Sequence, residues 1–184
     1  EGVSVRANTS EVAEFSNELF FELDFDAVSG ETLTETRLIR NSGCVSCPIR
    51  CERRVPVDGR ELKGPEYETL GFFGPNIGAA DMDAVLRMNW LCDIYGVDTI
   101  SFASSLAFAM ELKERGMADF GLEFGRTEDL EDVLLKVVNR EGIYSDIADG
   151  TKRMAAKYGG EDFAINSKGL ELASYEPRRS VGMG

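Results

Sequence analysis

From Asp81 onward, apolar residues recur every three or four positions. Val85, Leu86, Trp90, Leu91, Ile94 and Tyr95 form one such stripe, the mark of an amphipathic helix. Asp81 or Asp83 can cap its start, and Gly96 stands where a left-handed glycine closes a helix. A second helix is predicted over Ser101 to Arg115, with Leu106, Ala107, Met110 and Leu112 inward and Gly116 as its stop. Small residues at 103, 104, 105, 107 and 109 let it approach its neighbours closely. Thr127 is expected to cap a third helix with Leu130, Val133, Leu134, Val137 and Val138 on its buried face, ending near Gly142. A fourth spans Thr151 to Tyr158 and stops at Gly159-Gly160.

Upstream the pattern is less regular. Residues Ser10 to Leu23 place Val12, Phe15, Leu19, Phe20 and Leu23 near a helical stripe, although Phe20-Phe21 also suits an extended segment. Glu31 to Arg40 has helical spacing, and Arg53 to Arg60 reads as a strand and turn with Asp58-Gly59 as the hairpin signal. Phe163 to Tyr175 alternates as a strand or extended arm. The sum is a mainly α, multihelical domain with a few short strands.

Composition narrows the class. At 184 residues, with 43% hydrophobic and 29% charged residues, the chain suits one domain or one lobe of something larger. A net charge of −13 argues against nucleic acid and anionic membrane surfaces, which both demand a basic face. No apolar run reaches the ~20 residues of a membrane span, and a reducing cytoplasm is expected. Histidine is absent. The chain opens at Glu1 and closes on Val181-Gly182-Met183-Gly184, which suggests a piece of a longer protein.

Three of the four cysteines then change the picture. Cys44, Cys47 and Cys51 are spaced C-x2-C-x3-C, which suits thiolates meeting around one metal centre. An iron–sulfur cubane and a structural zinc each take four ligands. The fourth comes from Cys92, from another part of a longer protein, or from a non-cysteine group. With Cys92 the set describes a zinc-binding interaction module.

Two further stretches hold candidate chemistry. Glu66 and Glu68 flank Tyr67 ahead of a glycine-rich run, Leu70 to Ala80, that lacks any phosphate-binding fingerprint. In a loop, such a pair can address one site for proton transfer; as solvated surface it does nothing. Asp93-Ile94-Tyr95-Gly96-Val97-Asp98-Thr99 joins two helices. There Asp98 or Thr99 either caps the second helix or helps hold a polar ligand at its N-terminus.

In order, the cysteine triplet, Gly64-Pro65-Glu66-Tyr67-Glu68-Thr69, the D-x-x-G-V-D-T run and Ser105 to Leu112 resemble the tungsten- or molybdenum-dependent aldehyde ferredoxin oxidoreductase family. Lys168-Gly169-Leu170-Glu171-Leu172 and Tyr175-Glu176-Pro177-Arg178 continue the likeness, which spans about Ser29 to Gly184. The resemblance implies two segments: residues 1–28, an N-terminal helical or linker piece, and residues 29–184, a helical domain of this family. Its pterin-binding β domain and C-terminal helical domain would lie outside the chain.

Position by position, the resemblance implies a [4Fe-4S] cluster on Cys44, Cys47 and Cys51, with the fourth cysteine in a later domain and Cys92 a buried hydrophobe. It implies a tungsten or molybdenum bis-pterin contacted by Asp93, Gly96, Val97, Asp98 and Thr99, with Val97 where the family has leucine. Glu68 would sit near the metal, with Glu66 in reserve, while Arg50 would either face cluster or pterin or be solvated. The implied reaction oxidises an aldehyde to a carboxylic acid and passes electrons through the cluster to ferredoxin. Partners would be the aldehyde, ferredoxin and the remaining domains, and a homodimer is possible for the family. Relatives on this scaffold reduce aromatic thioesters or act on sugar phosphates. The isolated segment is expected to be inactive.

Overall fold

A computed structural model describes residues 25–174; the stripe proposed for Ser10 to Leu23 lies outside them. Among the described residues are seven α-helices: α1 (Gly30–Thr36), α2 (Tyr67–Phe73), α3 (Met82–Tyr95), α4 (Thr99–Glu114), α5 (Leu130–Val138), α6 (Tyr144–Ile147) and α7 (Thr151–Tyr158). Single 3-10 turns stand at Phe25–Val28 and Pro75–Ile77. Strands β1 (Arg40–Ser42), β2 (Glu52–Val57) and β3 (Arg60–Lys63) form one antiparallel sheet in sequence order, and β4 (Asn166–Ser167) pairs with β5 (Leu170–Glu171). The mainly α reading holds.

Helix α4 is the axis. Its buried residues, among them Phe102, Ala103, Leu106, Phe108, Ala109 and Leu112, leave no wide polar face, as befits a helix enclosed by others. Alanines at 103 and 109 remove the bulk that would hold neighbours off. Helices α2, α6 and α7 and strand β5 all pack on it. Phe73 of α2 meets Phe102 with ring centroids 6.0 Å apart, and Phe108 meets Phe163 at 5.2 Å.

Helix α3 begins with Asp81, whose carboxylate accepts the Ala84 amide at 3.1 Å. It ends at Gly96 in the left-handed conformation (φ 66), where an L side chain would be strained. The hairpin β2–β3 turns at Asp58 (φ 50) and Gly59 (φ 73), as two-residue turns with both central residues at positive φ require. It lies against α3: Val55 is buried, Arg87 pairs with both Asp58 and Glu131, and Asn89 Nδ2 donates to the Lys63 carbonyl at 3.0 Å.

Three expectations need correction. The Glu66–Glu68 stretch is not a loop but leads into α2, and the glycine-rich run Leu70 to Ala80 holds the rest of α2 and a 3-10 turn. Gly71 there seats Ser174, and a Cβ on Gly74 would meet Val28 at 2.8 Å; close packing, not chain reversal, sets these glycines. Thr127 does not cap α5 with its side chain. Its carbonyl closes a turn on the Leu130 amide at 3.2 Å and its hydroxyl donates to Asp81 at 3.4 Å, so the helix starts at Leu130. Helix α4 starts two residues earlier than the stripe predicted, capped by Asp98.

After α7 the chain returns as an arm anchored at two points. The buried carboxylate of Glu171 accepts from the Thr151 amide and hydroxyl at 2.8 and 2.9 Å, serving as the cap that Gly150 cannot supply. Ser174 then reaches α2.

Candidate functional site

The cysteines lie on the loop joining β1 to β2. Its stem is closed by the pairing of Ser42 with Glu52 and by Gly43, where a Cβ would stand 2.7 Å from Arg50 Cα. Inside, the Cys47 amide donates to the Cys44 carbonyl at 3.1 Å, and Ser46 (φ 64) and Arg50 (φ 52) take left-handed conformations. Arg53 Nη1 donates to the Cys51 carbonyl at 2.7 Å. Cys44 and Cys51 are exposed and Cys47 partly so. Val45 is 98% and Ile49 64% exposed. Among the described residues no three thiol or carboxylate groups converge to hold a metal, so the triplet is not drawn to one point here.

Cys92 stands apart. It is 1% exposed on α3, and burial, reinforced by Asp98 and Asp93, pushes its thiol up to about 12. A thiol so placed stays protonated at neutral pH while no metal is bound. Cys92 is one of the core residues, and among the described residues no metal-ligating group gathers it with the other three cysteines.

Helix α2 brings the second candidate. Glu66 and Glu68 stand in different settings, Glu66 as the extended residue just before α2 and Glu68 in its first turn. Glu66 is exposed beside Lys63 at 3.6 Å. Glu68 is half-buried, and its Oε2 accepts the Ser174 amide at 2.7 Å.

The third is the corner between α3 and α4. Gly96 and Val97 both direct their amides to the Cys92 carbonyl, Val97 at 2.8 Å. Asp98 Oδ2 accepts from the Ser101 amide at 2.7 Å. The cap is real, yet it leaves the exposed Asp93 unexplained. Asp93 sits in the last turn of α3, where the helix dipole disfavours a carboxylate. Ile94 and Tyr95 beside it are exposed as well.

Two hydrogen bonds link these stretches. Gly64 donates to the Arg53 carbonyl at 2.6 Å, which ties the Gly-Pro-Glu-Tyr-Glu-Thr run to the strand leaving Cys51. Thr69 Oγ1 then meets Thr99 Oγ1 at 3.0 Å, which ties α2 to the aspartate corner. Cysteine loop, Glu68 helix and Asp98 corner thus follow one another through contacts, not only along the chain. Sequence reading missed Thr69, Ser174 and Arg53. The first two pair across 30 and 106 residues and carry no local signal.

The order of these motifs along the chain has a counterpart in known proteins. The family model "Aldehyde ferredoxin oxidoreductase, domains 2 & 3" matches residues 3–184. The chain belongs to the aldehyde ferredoxin oxidoreductase family. A tungsten-containing aldehyde ferredoxin oxidoreductase of Pyrococcus furiosus is 40% identical over 165 residues, covering 85% of this chain and 27% of its own. The WOR-like subunit of an aliphatic sulfonate oxidoreductase from the same organism is 30% identical over 151 residues, covering 73% of this chain and 24% of its own. Among solved structures, the active-site complex BamBC of benzoyl coenzyme A reductase with 1,5-dienoyl-CoA superposes with a TM-score of 0.62 at 29% identity, covering 79% of this chain and 23% of that one. The chain thus spans about a quarter of the length of the relatives it matches.

Three thiols on one accessible hairpin loop are the donor chemistry that an iron–sulfur cluster takes. No described helix is long and apolar enough to cross a membrane.

Proposed function

We propose that this chain is the cluster-bearing helical part of a cytoplasmic tungsten or molybdenum bis-pterin oxidoreductase that converts aldehydes to carboxylic acids and delivers the electrons to ferredoxin. The observation that carries the reading is the run of contacts from Cys51 through Arg53 and Gly64 to α2, and from Thr69 to Thr99. It joins the segments that carry the residues assigned to cluster, proton transfer and pterin. The 40% identity to a tungsten aldehyde enzyme, against 30% to a sulfonate enzyme, favours aldehydes as the substrate class.

Bound pterin-held metal supplies the two-electron oxidation, which lies beyond amino-acid side chains. Cys44, Cys47 and Cys51 would hold three corners of a [4Fe-4S] cluster, and Arg53, bonded to the Cys51 carbonyl, steadies the strand beside it. Asp93 and Asp98 would receive pterin donors. With Oδ2 engaged by Ser101, Asp98 is held in one rotamer before any ligand arrives. Glu68, fixed by the Ser174 amide, accepts or returns a proton from a defined position rather than from a mobile side chain. Exposed Val45, Ile49, Ile94 and Tyr95 would be covered by the remaining domains, and the isolated segment would be inactive.

The test is the parent protein, expressed anaerobically with tungstate or molybdate. Aldehyde-dependent reduction of ferredoxin, with iron and tungsten or molybdenum in the purified protein, is expected. Cys47→Ser should remove the cluster's electron paramagnetic signal. A parent that purifies with stoichiometric zinc and no iron, or that reduces ferredoxin with no aldehyde, would overturn the reading.

A further inference from the structure

We propose that Thr69 is a positioning residue, whose hydroxyl bond to Thr99 fixes Glu68 relative to Asp98. The proposal rests on the function given above. Thr69 is 4% exposed, and its Oγ1 lies 3.0 Å from Thr99 Oγ1 across the α2–α4 contact. That contact also holds the apolar, tilted Phe73–Phe102 pair. Ring and methyl contacts are non-directional and tolerate a small slide or rotation of one helix on another. A hydroxyl pair does not, because its energy falls steeply with distance and angle.

Stability alone does not call for hydroxyls here. The net worth of a neutral hydrogen bond is small, and replacing both partners by apolar groups of the same shape is close to neutral. Valine at both positions would fill the same space. What the hydroxyls add is register, and the neighbours show what is registered. Thr69 follows Glu68, and Thr99 follows Asp98. Each of those carboxylates already has one oxygen engaged, Glu68 by Ser174 and Asp98 by Ser101. The Thr69–Thr99 bond therefore adds a directional constraint between two groups whose own side chains are already bonded.

The experiment uses the full-length parent with Thr69→Val, Thr69→Ser, Thr99→Val and the double valine variant. Thr69→Val is expected to lower kcat about tenfold, the range for a sub-ångström misplacement of a reacting group. KM should stay within about twofold, because substrate affinity is not what the bond holds. Thr69→Ser, which restores the hydroxyl but not the methyl, should recover most of kcat. The double variant should be no worse than Thr99→Val alone, since both remove the same bond. Independently of turnover, the paramagnetic signature of the metal centre should shift in Thr69→Val and return in Thr69→Ser. Wild-type kcat and an unshifted signature in Thr69→Val would overturn the proposal. So would Thr69→Ser falling below Thr69→Val, the ranking that packing alone produces. If the wild-type parent oxidises no aldehyde, the proposed function falls, and the signature decides on Thr69: shifted supports it, unshifted ends it.

Discussion

The carboxylate of Glu68 accepts the backbone amide of Ser174 at 2.7 Å, across 106 residues of chain. It pins the returning arm to α2 at the point where Gly71 leaves room for the Ser174 side chain. A residue singled out as a proton carrier thus also has a structural bond, and substitutions separate the two roles. Glu68→Gln keeps an acceptor oxygen, so stability should change by less than about 0.5 kcal/mol, while Glu68→Ala strands the amide and should cost about 1–2 kcal/mol. Both should abolish turnover in the parent enzyme. Urea unfolding beside kcat measures the two effects; equal loss of stability in both variants would contradict the bond.

Cys92 predicts a pH dependence. Its thiol is pushed up to about 12 from an ordinary 9.0, first by burial and then by Asp98 and Asp93. The folded state therefore keeps a proton that the unfolded chain releases. The stabilisation is complete below pH 9 and is lost as pH rises towards 12. Between pH 9 and pH 10 the loss should be about 1 kcal/mol. The comparison is with Cys92→Ala, in which that part of the slope should vanish. In the folded chain with no cluster bound, Cys44 and Cys51 should react with a thiol reagent at pH 8 and Cys92 should not.

Gly43 should tolerate no side chain. An added Cβ would lie 2.7 Å from the Arg50 backbone, and backbone cannot swing aside as a side-chain tip can. Gly43→Ala is expected to open the stem of the cysteine loop. Iron content of the reconstituted parent should fall by more than about half, since cluster affinity depends on the three thiols being carried on one closed loop. Retention of full iron occupancy would show that the stem is not what shapes the loop.

Arg87 joins the tip of the β2–β3 hairpin, through Asp58, to helix α5, through Glu131. It also lies over Trp90, 5.8 Å from the ring centroid. Arg87→Ala should cost about 1 kcal/mol, as partly exposed pairs usually do. The cost should shrink in 1 M salt, where the Debye length is about 3 Å. Unfolding in low and high salt measures it, and a salt-independent loss would assign the effect to packing on Trp90.

Features written in one stretch of chain were legible beforehand. Asp58-Gly59 names its own turn, because the strain it relieves is local. Asp81 and Gly96 bracket α3, and Gly159 closes α7, for the same reason. The C-x2-C-x3-C spacing and the D-x-x-G-V-D run likewise carry the family in their order. Helix α2 was not legible. Its seven residues include Gly71 and stand between Gly64-Pro65 and Gly74-Pro75, a composition that reads as loop. It is a helix because its core side chains, Leu70, Phe72 and Phe73, bury against α4, an energy that appears only once α4 is in place.

The same division holds for the candidate site. Residue order and side-chain chemistry by themselves determined which groups could bind sulfur-bridged iron or a pterin, since ligand type and short-range spacing are covalent properties. Only the folded chain decided that Cys92 is withdrawn from that set, that Glu66 and Glu68 part company, and that Thr69 reaches Thr99. Burial and contact between distant residues are products of packing, which no local pattern encodes.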